Sequence, residues 1–490
     1  MSVNEQPKRA VTGYLPDERP PLLKLLLYAV QQVIVMFPAT IAVALITGFQ
    51  VSTTIFASGL ATLCFILISG KKIPLYYGSS FSYLTAVISL MTSQSIVDKL
   101  SPAAASQLSD WLNKATSVMP AEAISYAQFG IVMSGLISIA AGLIVRFWGK
   151  NKIENVLPAT ITGSIAMVIG LTLAGNALGD AAPVMSDGVA VPGVLGSGWV
   201  WAVSLVTLLS TILFSRYLKG FLGQLPLLLG AAVGCLTAAI IYWVGGADYN
   251  MFRTIPQEAL TASLWSAGPI SVPAFTLPKF STEAIWAIMP IAIATIPEST
   301  AHIFQLDVYV NELARKKNSG KHYPLASMLD RNLIGDGICD MISGVIGGPA
   351  GTNYGENIST MAITRVFSVP VLVVASVIAM VISFFTPLIQ GIYAIPLAVI
   401  GGLEIYLFGA IAAQGIAIMI DKKVDMFNSK NVAVIATIMI IGLGGKYAFG
   451  GNIPFFGIDV PCIAGAAIFG ILLNLILNIG KKKEEAGETE

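Results

Sequence analysis

Apolar runs of about 17 to 25 residues follow one another from Leu22 to Ile479, each closed by glycine, proline or charge. That is the length a helix needs to cross roughly 30 Å of hydrocarbon. The pattern predicts fourteen spans, over 22–47, 52–70, 74–92, 124–147, 157–178, 198–215, 222–245, 282–304, 333–347, 350–365, 366–390, 393–418, 431–449 and 459–479. An all-α polytopic membrane protein follows, with no room between spans for a soluble domain of any size. The longest connections run from Thr92 to Ala123 and from Gly246 to Ser281. Within 98–117 the spacing of Leu100, Ala104, Leu108, Trp111 and Leu112 predicts an amphipathic helix lying on the outer surface.

Charge tests the count. Only 11% of the 490 residues are charged and 55% are hydrophobic, far from the roughly 25% charged of a soluble domain. Positive residues collect on cytoplasmic loops. With fourteen spans and both termini inside, all but five of the 28 basic residues fall inside, the exceptions being Lys99, Lys114, Arg253, Lys279 and Lys446. Dropping one span would put every later cluster on the wrong side. Polar, proline-bearing residues 1–21 read as a cytoplasmic tail without a cleaved leader, and 480–490 as a second polar tail. A net charge of +1 offers no field for nucleic acid. Cys64, Cys235, Cys339 and Cys462 stand singly and read as packing residues, with no metal spacing among them. No fingerprint of a cofactor-binding or hydrolytic enzyme is found.

Two stretches are polar and glycine-rich where a span should be apolar. Ile73 to Tyr83 and Gly347 to Thr360 both contain Tyr-Gly, two polar residues, an apolar residue and a serine, beginning at Tyr77 and at Tyr354. Each follows two spans in its own half of the chain. Paired interruptions of this kind mark a transporter's midplane site, because irregular backbone at that depth must be buried in protein or line a cavity. Segments 3 and 10 are therefore expected to be short extended stretches that start half-helices, aiming helix N-termini at the cavity. Seven spans per half makes the two repeats inverted.

A third interruption, Pro297-Glu298-Ser299-Thr300-Ala301-His302, places a carboxylate within an apolar span, by default a functional group. Glu298 and His302 lie four apart, on one helix face. With Glu356 at the start of the second half-helix, the set could bind and release a proton. Asp336 and Asp340 read equally as helix caps on the cytoplasmic side or as members of a polar network. Arg365 reads as an anchor at the inner membrane edge.

The run Tyr354-Gly355-Glu356-Asn357-Ile358-Ser359-Thr360-Met361-Ala362-Ile363-Thr364-Arg365 resembles the signature of the nucleobase-ascorbate transporter family, within it the bacterial uracil permease branch. Ser359 stands where the signature has glycine, and Gln31-Gln32 where that branch often has a histidine. The resemblance extends to Gly78-Ser79-Ser80-Phe81, to the Pro297–His302 run and to the order of spans. It implies a core domain of spans 1–4 and 8–11 (22–147 and 282–390) and a gate domain of spans 5–7 and 12–14 (157–245 and 393–479), the gate also forming a homodimer. It implies an elevator-like movement coupled to protons, in the cell membrane, without a cofactor. By the same resemblance Glu298 accepts from ring N–H groups of the base, Phe81 stacks on its face, Tyr354, Gly355 and Glu356 complete the site, and His302 works with Glu298 in proton coupling. Ser80, Asp336 and Asn357 would support them. The expected solute is uracil, with xanthine, urate or another purine as the alternative. Ascorbate would be repelled by two carboxylates.

Overall fold

The computed structural model describes residues 13–149, 157–186, 189–254, 269–456 and 458–479. The tail expected at 480–490, the first twelve residues of the other tail, and Lys150 and Lys152 of the basic tally lie outside these. Among the described residues nine helices are long and apolar enough to cross a membrane: Leu22–Thr47, Val51–Ile68, Ala121–Trp148, Ala159–Ala181, Trp199–Tyr217, Pro226–Gly245, Thr282–Lys316, Leu397–Asp421 and Ser429–Phe449. Phe81–Met91, Val369–Ile382 and Cys462–Asn478 are shorter and apolar, while Leu329–Ile346 and Gly355–Thr364 carry the polar residues of the interrupted runs. A helix thus stands at each place the hydrophobic pattern marks.

Several boundaries differ from the pattern. The run expected to end at 304 continues as helix to Lys316, its last turns amphipathic and beyond the reach of a hydropathy signal. The run expected over 366–390 is two helices, Val369–Ile382 and Thr386–Tyr393, because Pro387 can start a helix but not continue one. Two small hairpins, Met185–Ser186 with Val189–Ala190 and Asn452–Phe455 with Ile458–Pro461, escape the pattern altogether. The amphipathic helix is present as Pro102–Leu112, capped by Ser101 and seated by buried Ala104 and Leu108.

Packing comes in matched pairs across the two halves. Leu329–Ile346 lies along Ala121–Trp148, and Val369–Ile382 along Val51–Ile68. Ala159–Thr172 packs on Leu397–Asp421, which also receives Trp199–Tyr217 as Ala159–Thr172 receives Ser429–Phe449. Lipid gives helices no hydrophobic reason to associate, so small residues that admit close backbones carry these contacts. Gly135 and Gly337 each face the other's carbonyl, and so do Gly163 and Gly415; a β-carbon at any of the four would collide with backbone. Buried hydroxyls turn back on their own helices, as Thr47 on the Val43 carbonyl at 2.6 Å and Thr207 on that of Val203 at 2.8 Å, which satisfies them where water is absent.

The described part of the polar N-terminal stretch, residues 13–21, is docked. Tyr14 pairs with Val366 in a parallel bridge, and Phe367 and Val369 donate backbone N–H groups to the carbonyls of Tyr14 and Pro16. Lys317 donates to Glu18 and to the Gly13 carbonyl, and Asp17 accepts from Lys321 and Tyr323.

Candidate functional site

The two glycine-rich interruptions meet. Tyr77–Ser79 pairs antiparallel with Gly351–Asn353, with Gly78 opposite Thr352. Backbone bonds from Ser80 to Ala350 and from Tyr354 to Tyr76, each 2.9 Å, extend the ladder. Glycine is needed at Gly78 and Gly351 because an aromatic ring covers each: a β-carbon on Gly78 would run into the Tyr354 ring, and one on Gly351 into that of Tyr77. The ladder's outer groups are satisfied by side chains. Ser58 and Thr62 donate to the Tyr77 carbonyl at 2.7 and 3.1 Å, and the Tyr77 N–H donates to Thr62 at 3.0 Å. The Tyr354 hydroxyl meets Thr40 at 2.9 Å and donates to the Ser79 carbonyl.

A helix starts one residue after each strand, at Phe81 and at Gly355. The strand-to-helix joints are therefore equivalent at Ser80 and Tyr354, so the repeated Tyr-Gly pattern is a coincidence of sequence three residues out of step: Tyr77-Gly78 lies in a strand, whereas Tyr354-Gly355 opens a helix. No side chain caps the Gly355–Thr364 helix. The Glu356 carboxyl turns back on its own N–H, and the other N–H groups of the first turn are left for other acceptors.

Behind the strands lies a network that the sequence placed only in part. Asp336 and Asp340 sit mid-helix in Leu329–Ile346 and cap nothing. Asp340 accepts from the Tyr77 hydroxyl and, at 2.8 Å, from the Gly351 N–H. Asp336 accepts from Ser299 and from Asn353, and Asn332 donates to Ser299 at 2.7 Å. Asn332 is missed by the sequence reading, which gives Asp340 as a cap or a network member with equal weight; the signal for both is polarity at helical spacing in a weakly apolar run. Asn357 turns away and donates to the Gln32 side chain at 2.8 Å and to its carbonyl at 3.0 Å, so one of the two glutamines in the first helix has a defined task. Ser80 takes no part in the Asp336 network; it caps the turn at Phe81 through the Ser82 N–H.

In front of the strands is a cavity of about 1000 Å³. Ser80, Phe81, Glu298, His302, Tyr354, Gly355 and Glu356 all line it, which brings most of the expected site residues onto one surface. Asp336 and Asn357 stand behind it. Pro297 stands inside the continuous Ala292–Lys316 helix and leaves the Ile293 carbonyl without its usual donor. Neither the Glu298 nor the Glu356 carboxyl is hydrogen-bonded or ion-paired to another described residue's side chain; both face the cavity. His302 is buried beside them with Nδ1 unpartnered. It does not pair directly with Glu298, and its Nε2 lies where a β-carbon on Gly355 would come within 2.9 Å. The opposite wall, from Leu407, Ile411 and Gln414 to Ile418, belongs to the Leu397–Asp421 helix, and the cavity runs on to Lys422, Lys423, Asp425 and Lys430.

Apolar helices around a cavity lined by both apolar and polar side chains define the class, a multi-pass membrane protein with a cavity inside it. The sequence profile described as "Permease family" matches residues 23–451. The chain is similar to the uracil permease of Bacillus caldolyticus, 32% identical with 94% of each chain covered, and to that of Bacillus subtilis at the same identity and coverage. It is 31% identical to a putative pyrimidine permease of Escherichia coli, with 94% of this chain and 91% of that one covered. The chain therefore belongs to this permease family, the one its signature resembles, and is a multi-pass transporter rather than an enzyme. Among solved structures it resembles in fold the transmembrane domain of the cyanobacterial bicarbonate transporter BicA (TM-score 0.54, 15% identity, 94% and 99% covered). The murine anion transporter Slc26a9 is a second fold neighbour (TM-score 0.62, 11% identity, 95% and 69% covered).

Proposed function

We propose that the protein is a proton-coupled symporter that imports uracil across the cell membrane by an elevator-type movement. The observation that carries the reading is the pair of carboxyls, Glu298 and Glu356, neither held by another described side chain, set with Phe81 and the start of the Gly355–Thr364 helix around one cavity. Uracil is planar and nearly uncharged, with two N–H donors and two carbonyl acceptors. Carboxylates for the donors, helix N–H groups for an acceptor and an aromatic face answer that pattern. In this reading Glu298 and His302 carry the proton, Tyr354 braces the joint, and Ser80, Asp336 and Asn357 hold the strands and half-helix in place. The relatives named as uracil permeases support the substrate.

All fourteen segments cross the bilayer in this proposal, as two inverted sevens. The matched packing pairs and the antiparallel meeting of the two strands support it. Residues 22–147 and 282–390 form the moving core, and 157–245 and 393–479 the gate, through which two copies dimerise. Both termini are cytoplasmic. Lys422, Lys423 and Lys430 at the cavity mouth then mark the inside, and the structure is inward-open.

The test is uptake of labelled uracil by proteoliposomes under an inward proton gradient, with Glu298→Gln alongside and xanthine as competitor. Gradient-driven uptake that xanthine leaves intact and Glu298→Gln lowers at least about 100-fold is expected, the loss of a charged hydrogen bond to the base and of the proton site together. Xanthine uptake in place of uracil uptake would transfer the assignment to purines, and indifference to the gradient would remove the proton role.

A further inference from the structure

One titratable group has no part in the transport site. Glu404, on the Leu397–Asp421 helix, is 1% exposed, and neither carboxyl oxygen has a hydrogen-bond partner. A buried carboxyl without a donor is costly when ionised and is retained for a reason. Its place is defined by Gly401, one turn earlier, whose missing side chain lets the helix backbone press against Asp180 and Ala181. It lies one turn from Leu407, where the cavity ends, and 17 residues from Asp421 at the mouth, roughly 25 Å along the helix. Glu404 therefore stands just beyond the closed end of the cavity.

The charges that reach it are those of Asp180, Lys114 and Arg253. Asp180, 9% exposed, accepts from Lys114 Nζ at 2.7 Å. That ion pair joins two different parts of the fold: Lys114 follows the amphipathic helix Pro102–Leu112 in the connection that leads into Ala121–Trp148, and Asp180 lies in the last turn of Ala159–Ala181. Lys114 is held for this with a left-handed backbone, φ 62°. Arg253, in the connection after Pro226–Gly245, is tied to the start of the Leu397–Asp421 region by its N–H on the Ala394 carbonyl at 3.2 Å, and the cluster lies at the end of the cavity opposite its mouth.

We propose that Glu404 is a second protonation site that sets the strength of the Lys114–Asp180 latch. Ionised, Glu404 adds its field to that of Asp180 and holds Lys114, keeping the far face shut. Protonated, it withdraws that field, leaves Asp180 alone with two cations, and weakens the hold on Lys114. Protons abundant on the outside thus favour opening toward the outside, the side on which a proton-driven importer must collect its solute. The outer location rests on the topology proposed above; the latch itself rests on the contacts.

Hydrogen exchange reads the latch without any transport. In reconstituted protein, amide exchange at Lys114, Ala115 and the last turn of Ala174–Ala181, corrected for intrinsic rates, is expected to rise at least about fivefold between about pH 7.5 and about pH 5.5. In Glu404→Gln it should be high at both, and equally so in Lys114→Gln, where the latch is gone at a solvent-accessible position that tolerates the change. A wild-type pH response surviving in Glu404→Gln would show that another group titrates, and unchanged low exchange in Lys114→Gln would show that the ion pair closes nothing; either overturns the proposal. Should Glu404→Gln fail to fold, the absence of any rise in wild-type exchange between about pH 7.5 and about pH 5.5, or unchanged low exchange in Lys114→Gln, still overturns the proposal. A positive exchange result beside absent uracil uptake would leave the latch standing and remove only the substrate assignment.

Discussion

Asp340 serves two donors at once, the Tyr77 hydroxyl and the Gly351 N–H, from the middle of a buried helix. Replacing it with alanine strands both, and an unmade buried hydrogen bond costs about 1–3 kcal/mol. Asp340→Ala should therefore lose roughly 2–4 kcal/mol and unfold measurably earlier in a detergent melt, while Tyr77→Phe, which removes one donor with its need, should cost about 1 kcal/mol. Equal melting of the two variants would mean the strand pair does not depend on this residue. At the other polar contact, Asp17 reports on pH. Partial burial pushes its carboxyl up, but hydrogen bonds from Lys321 and Tyr323 outweigh that and hold it below the usual carboxylate range. A depressed folded value means the contact contributes above the unfolded value near 4 and is lost as pH falls through the lower folded one. Limited proteolysis ahead of Leu22 should accelerate only below about pH 4 in wild type and at neutral pH in Asp17→Asn; identical digestion of both proteins would remove the role of Asp17.

At the scale of elements, helices that touch through glycine tolerate no side chain. Gly337 faces the Gly135 carbonyl, whereas a β-carbon on Gly409 would meet nothing within 4 Å. Gly337→Ala should then lower stability by roughly 2 kcal/mol or more, and Gly409→Ala should leave it equal or slightly raised because alanine is the better helix former. Comparable melts for the two would argue against close packing of Ala121–Trp148 with Leu329–Ile346. The same elements show what was legible beforehand. Long apolar helices were, because one-dimensional hydrophobicity is their cause. The half-helices were too, since glycine and polar residues have no business in a lipid-facing span. The exact joint was not: Tyr-Gly recurs in both halves, yet ring-over-glycine contacts, visible only in three dimensions, put Tyr77 in a strand and Tyr354 at a helix start. Nor could spacing tell that Asp336 and Asp340 face inward as acceptors, since a cap and a mid-helix acceptor look alike until the partners Ser299, Asn353 and Tyr77 arrive from elsewhere in the chain.

At the scale of the whole molecule, one cavity between two walls must open on alternate sides if the protein is a carrier, and its present mouth is at Lys422, Lys423 and Lys430. Ala410 lines the gate wall near the closed end, so a thiol placed there senses which side is open. The four native cysteines do not line the cavity, and Cys339 and Cys462 are buried; with the half-buried Cys64 and Cys235 replaced by serine, the introduced thiol is the reporter. In Ala410→Cys, a membrane-impermeant maleimide should label inside-out vesicles at least about tenfold faster than right-side-out ones, a ratio equivalent to a 1.4 kcal/mol preference for the inward-open state. A ligand can redistribute the two states only by its differential affinity for them. Adding uracil should therefore slow inside labelling in proportion to occupancy, through direct shielding and through return toward the outside. Faster labelling from the outside would invert the orientation inferred from the positive residues. Equal labelling from both sides, unaffected by uracil, would describe a continuous pore and would remove the carrier mechanism while leaving the fold as it stands.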